Sequence, residues 1–139
     1  MAVGIKAFHK ERVANQVMQN IIGLQIDMVR NANSWKAMAT AQNPPIATLR
    51  TFLNDAAASY LTRLQWVIDL RADVAKRQRL LDILAARGWD EQEVVDTVTT
   101  LRNVAVQLRD APKGTYAVVI TICDAILAAV EPAESLWPE

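Results

Sequence analysis

The sequence predicts an all-α fold, an elongated helical bundle of two long antiparallel helices and a shorter C-terminal helical hairpin. Three observations lead to this fold class. Apolar residues recur at spacings of three and four along most of the 139-residue chain, as they do on one face of a helix. Only four glycines and five prolines interrupt the pattern, so the elements must be few and long. The composition is 52% hydrophobic but only 6% aromatic, a mixture that favours close helix packing over a sheet.

The first helix is predicted over about residues 5–40. Its main apolar face contains Phe8, Val13, Val17, Ile21, Leu24, Met28, Ala32, Trp35 and Ala39. A second apolar line widens that face and consists of Met18, Ile22, Ile26 and Val29. A helix with so wide an apolar face should contact more than one neighbour. At ~1.5 Å per residue, it would be about 50 Å long.

The second helix is predicted over about residues 45–87. It follows Asn43-Pro44-Pro45, because proline is tolerated in the first turn of a helix but not inside it. Arg71 falls on the apolar line and residues 76–79 are fully polar, so the pattern leaves open whether this helix breaks near 71–79. Gly88 stands where a left-handed glycine usually closes a helix.

The third helix, about residues 90–110, has the clearest start signal in the chain. Asp90 has the position of an N-cap, and Glu93 completes a variant of the capping box. Trp89 and Val94 have the spacing of a hydrophobic staple.

The fourth helix is predicted over about residues 115–131, with Thr115 as its N-cap. It contains the most apolar run of the chain, and its polar residues Thr121 and Asp124 fall on one narrow stripe. We therefore expect it to be the most deeply wrapped helix and to need more than one neighbouring helix to cover it. A buried strand is the less favoured alternative, since no other segment offers a partner strand. A membrane span is excluded because the run is too short and contains Asp124.

Residues 1–139 should form one helical domain that ends in a short acidic tail, 132–139. The two shorter helices cover only part of the long pair, so we expect uncovered apolar surface that favours association. Residues 1–88 contain twelve basic and six acidic side chains, whereas residues 89–139 contain three basic and nine acidic ones. The two halves can pack together within one molecule, which is the favoured interpretation, or copies can associate head to tail.

The residue types needed for most catalytic or metal sites are scarce. The chain has one histidine, His9, and one cysteine, Cys123, which is expected to be an inert core thiol. We therefore expect no catalytic residue, no metal, no cofactor and no small-molecule substrate. A small enzyme that holds an anion between Arg50, Arg63 and Arg71 is the third hypothesis for function.

Two groups of residues are candidates for contacts with partners. Lys76, Arg77 and Arg79 form the only basic cluster and would contact phosphate if the protein bound nucleic acid, which is the less favoured interpretation because Asp73 and Asp82 flank them. The candidate interface residues are Trp66, Glu134 and Trp137.

The leading hypothesis is a non-enzymatic structural subunit of an oligomeric assembly, such as a phage head, neck or tail protein. Its partners would be copies of itself and other proteins of the assembly, with no membrane. The runner-up is a cytoplasmic helical module that regulates a protein or nucleic-acid partner. The N-terminal residues lack the pattern of a signal peptide, and a single cysteine allows no internal disulfide, so we expect the protein in the cytoplasm or in a virion.

Overall fold

The computed structural model describes residues 5–130, and their side chains from residue 12 onward. Over these residues the chain is an all-α helical bundle, as predicted, with five helices and no strands. The helices are α1 (Ile5–Ala41), α2 (Ile46–Ala72), α3 (Val74–Ala85), α4 (Glu91–Asp110) and α5 (Tyr116–Ala129).

The segment predicted as one helix over 45–87 is two helices, and the break lies at Asp73. This residue is extended, with φ −77° and ψ 111°, and its side chain accepts a hydrogen bond from the backbone N–H of Ala75 at 2.9 Å. Asp73 therefore ends α2 and caps α3, because aspartate competes well for backbone donors at a helix start. Gly88 adopts the left-handed conformation expected of it, with φ 82°.

The cap residues predicted for the last two helices are confirmed. Asp90 accepts a hydrogen bond from the backbone N–H of Glu93 at 2.8 Å. Thr115 accepts one from the backbone N–H of Val118 at 3.2 Å. Each side chain satisfies one of the backbone donors that a helix start leaves unpaired.

Each long helix is antiparallel to its neighbour, and each short helix packs mainly on a long one. Asp27 of α1 pairs with Arg63 of α2, and Asn31 with Tyr60, so α2 runs back along α1. Tyr116, at the start of α5, donates a hydrogen bond to the carbonyl of Pro44 in the turn between α1 and α2, at 2.7 Å. From that point α5 returns along α1, while α4 packs along α2.

The buried side chains form one cluster to which all five helices contribute. The expectation that α5 is the most deeply wrapped helix is wrong. Only Val119, Cys123 and Ile126 of its residues are fully buried, and it packs mainly on α1 rather than between several helices. The expected surplus of exposed apolar surface is also small: among the described residues, Phe52 and Val74 are the exposed large apolar side chains, at 41% and 81%. The helices cover most of each other's apolar faces because α4 packs on α2 and α5 packs on α1.

Candidate interaction surfaces

The predicted basic cluster lies at the junction of α2 and α3. We call Arg71, Val74, Lys76, Arg77 and Arg79 the junction surface. The break at Asp73 places Val74 in the first turn of α3, where its side chain is 81% exposed. Lys76 and Arg77 are also exposed, whereas Arg79 is partly buried. The exposed side chain of Val74 therefore lies one helical turn before the exposed cation of Arg77.

The charges of the junction surface are only partly satisfied. Lys76 lies 3.7 Å from the carboxylate of Asp73, and the Nε of Arg77 donates a hydrogen bond to the carbonyl of Arg71 at 2.8 Å. The Nε of Arg71 and one terminal nitrogen of Arg79 are buried without a hydrogen-bond partner. An unpaired buried N–H is unfavourable by about 1–3 kcal/mol.

The structure brings only part of the predicted phosphate cluster to one place. At 100° per residue, Arg79 points about 160° away from Arg77 around α3. Lys76 and Arg77 thus remain as the exposed cations of the cluster.

The predicted interface residues do not form one group among the described residues. Trp66 is partly buried and packs against the core cluster. Glu134 and Trp137 lie outside the described residues, as does the side chain of His9.

A groove of about 790 Å³ lies on the side of α1 among the described residues, and we call it the α1 groove. The described residues that line it are Gln19, Asn20, Gly23, Ile26, Asp27 and Arg30 of α1 and Arg63 of α2. The guanidinium of Arg63 donates to the carboxylate of Asp27 at 2.8 Å and to the carbonyl of Gln19 at 2.6 Å. This pair closes one wall of the groove. Arg50 and Arg71, expected to join Arg63 in an anion site, do not line it.

Asn20 is a polar residue in the wall of the α1 groove and is only 9% exposed. Sequence reasoning missed this groove. The available signal was Gly23 inside a helix, with polar Asn20 and Asp27 close to it on the same side.

Tyr60 lies next to this wall, and its hydroxyl accepts a hydrogen bond from Asn31. Burial raises the pKa of Tyr60 to about 12, and the negative charge of Asp27 adds to this rise. The hydrogen bond from Asn31 and the positive charge of Arg63 act in the opposite direction. The phenol therefore stays neutral well beyond the pH at which an exposed tyrosine ionises.

Cys123 is a buried thiol. Burial, followed by the nearby charge of Asp124, raises its pKa to about 11, so it is not activated as a nucleophile. Within residues 5–130, no cluster of histidine, cysteine and acidic side chains is suited to a metal ion. No helix in that range has the length and apolar character needed to cross a bilayer.

The basic and acidic parts of the chain meet in one described ion pair. Lys36 of α1 lies 2.7 Å from Asp124 of α5. Both side chains are about half exposed, so the pair contributes little to stability. Among the described residues, Glu91 and Glu93 at the start of α4 make no ion pair with the basic half.

Comparison of the chain with protein-family models, with curated proteins and with solved structures gives no match.

Proposed function

We propose that the protein is a non-enzymatic structural subunit of a homo-oligomeric assembly, and that the junction surface is one of its contacts. The concrete case is a small component of a phage virion, such as a head, neck or tail protein. Its place would then be the cytoplasm during synthesis and the virion afterwards.

The observation that supports this proposal is the exposure of Val74 beside a cation. Its side chain is 81% exposed, and Arg77 lies three residues later on the same side of α3. A second subunit that presents an apolar patch with acidic neighbours would cover the valine and pair with Arg77. The first turn of α4 supplies two acidic side chains in the same chain, Glu91 and Glu93.

The experiment is a measurement of molar mass by light scattering over a range of concentrations. Burying a valine side chain contributes about 1.5–3 kcal/mol, so we expect Val74→Asp to weaken association by about tenfold or more. The substitution should leave the fold intact, since an acidic residue is favourable in the first turn of a helix. Arg77→Glu should act in the same direction.

Phe52→Asp is the matched control, because Phe52 is the other large apolar residue that is exposed in the described part of the chain, and it belongs to the first half of α2. This variant should associate like the wild type. A wild-type protein that stays monomeric at high concentration would refute the proposal, and an unchanged mass for Val74→Asp would refute the role of the junction surface. Duplex binding that is lost in Arg77→Glu, without any change in mass, would instead favour the nucleic-acid regulator.

A further inference from the structure

We infer that the junction surface of one molecule docks on a pocket between α4 and α5 of a second copy, with Val74 in the pocket and Arg77 beside its carboxylate. This inference rests on the proposed oligomeric function and names the other half of the contact. The association is head to tail, because two different surfaces of the same chain meet.

The pocket lies where the first half of α4 meets the end of α5, and we call it the α4–α5 pocket. Its volume is about 250 Å³. The described residues that line it are Gln25 of α1, Asp96, Thr97, Thr100 and Leu101 of α4, and Ala129 and Val130 of α5. A cavity of about 150 Å³ admits a benzene ring, so this pocket has room for the isopropyl group of a valine.

The α4 side of the pocket is acidic. Glu93 and Asp96 are exposed, and residues 91–101 contain no basic side chain. Among the described residues, neither carboxylate is in an ion pair. Asp96 accepts a hydrogen bond from the amide of Gln92 at 2.8 Å. A carboxylate has about four acceptor positions, so Asp96 can also bind a guanidinium.

The junction surface carries the complementary groups at a matching spacing. Val74 and Arg77 are three residues apart on α3, which separates their Cβ atoms by about 5–6 Å. Asp96 and Thr100 are four residues apart on α4, and the same separation applies to them. Arg77 uses its Nε to donate to the carbonyl of Arg71, so its terminal nitrogens remain available for a carboxylate.

The partner that these observations favour is a second copy in a head-to-tail arrangement. Val74 is 81% exposed in its own molecule, so its own α4–α5 pocket does not cover it. A contact between two junction surfaces would place Arg77 against its own copy, and like charges in an interface are unfavourable. Residues 1–88 contain twelve basic and six acidic side chains, and residues 89–139 contain three basic and nine acidic ones, so the two surfaces belong to halves of opposite charge.

The first test is a charge exchange, followed by light scattering of the full-length protein. Asp96→Arg and Arg77→Glu should each raise the dissociation constant about tenfold or more, because each places like charges together. The double variant restores an ion pair in every contact and should return the constant to within about threefold of the wild type. Asp110→Arg is the matched control, because it makes the same charge change about 20 Å further along α4, and it should associate like the wild type.

The second test mixes two variants that each lack one surface. Val74→Asp keeps the α4–α5 pocket, and Asp96→Arg keeps the junction surface. Each alone should be monomeric at a concentration at which the wild type associates. Their equimolar mixture can form only one contact per pair, so we expect a dimer and no larger species. Thr100→Lys, which places a long cation at an exposed position of the pocket, replaces Asp96→Arg if that variant does not fold.

The outcomes separate this inference from the proposed function. A double variant that associates no better than the single ones, together with a mixture that stays monomeric, would overturn the inference. Wild-type association of both Asp96→Arg and Thr100→Lys would also overturn it, while the oligomeric function would stand with a different partner surface. A wild-type protein that is monomeric at every concentration would refute the proposed function and the inference with it.

Discussion

Tyr60 should make the protein sensitive to alkaline pH, and substitution by phenylalanine should remove that sensitivity. The side chain is 2% exposed and its pKa is raised from 10.0 to about 12. Below pH 10 the phenol is protonated in both the folded and the unfolded chain. Between pH 10 and 12 the unfolded chain releases the proton while the folded chain keeps it, so the free energy of unfolding falls as pH rises.

The magnitude follows from the difference between the two pKa values. At 1.36 kcal/mol for each pKa unit, the wild type should lose about 2–3 kcal/mol of stability by pH 12 through this residue. Tyr60→Phe loses the hydrogen bond with Asn31 at every pH, which is unfavourable by about 1 kcal/mol. The variant should therefore be the less stable protein at pH 8, and the two stability curves should cross near pH ~11.

Urea unfolding followed by circular dichroism, repeated from pH 8 to pH 12, measures both curves. Subtracting the free energy of unfolding of the variant from that of the wild type at each pH removes the contribution of the titrating groups that the two proteins share, including Cys123. A difference that stays constant across this range would refute the reasoning, because it would mean that Tyr60 ionises equally in the folded and unfolded chains. The phenolate absorbance of the folded wild type, compared with that of Tyr60→Phe, gives an independent measure of the pKa.

Three further predictions concern stability and reactivity. Asp90→Ala and Thr115→Ala each remove a helix cap and should lower the free energy of unfolding by about 1 kcal/mol. Thr99→Ala, at an exposed position inside α4, should change it far less, and equal destabilisation by all three substitutions in thermal unfolding would contradict the capping role. Leu101 is 1% exposed, so Leu101→Ala should be destabilising by about 2–5 kcal/mol in urea unfolding, and a loss below that range would mean that the site collapses around the cavity. Cys123 is fully buried with a raised pKa, so a thiol reagent should label it only in urea; rapid labelling of the native protein would show that the thiol is accessible.

The α1–α2 pair shows how the sequence determines helices but not the cavities between them. Periodic apolar positions predicted α1 well, because a helix face is a local property of spacing. The α1 groove depends on how Arg63 of α2 reaches Asp27 and Gln19, which are more than thirty residues away in the chain. No local pattern in the sequence contains a contact over that separation, so the sequence did not predict the α1 groove.

The α2–α3 junction shows a partial success of the same kind. The polar run 76–79 indicated that the predicted second helix could break near residues 71–79. The sequence did not place the break at Asp73, because an aspartate inside a helical pattern can equally face solvent. The structure also changed the meaning of the basic cluster. Arg79 is partly buried, Lys76 and Arg77 are exposed, and Val74 is an exposed apolar residue in the first turn of the same helix.

By itself the sequence determined the all-α fold class, the caps at Asp90 and Thr115 and the burial of Cys123. Each of these depends on residues within one or two turns of each other, where spacing and side-chain chemistry decide the outcome. Only the tertiary structure decided that α4 and α5 pack on different long helices, which leaves Phe52 and Val74 as the exposed large apolar side chains among the residues that the structure describes. That outcome depends on helix packing across the whole bundle, because many arrangements of the same amphipathic helices satisfy the same local pattern.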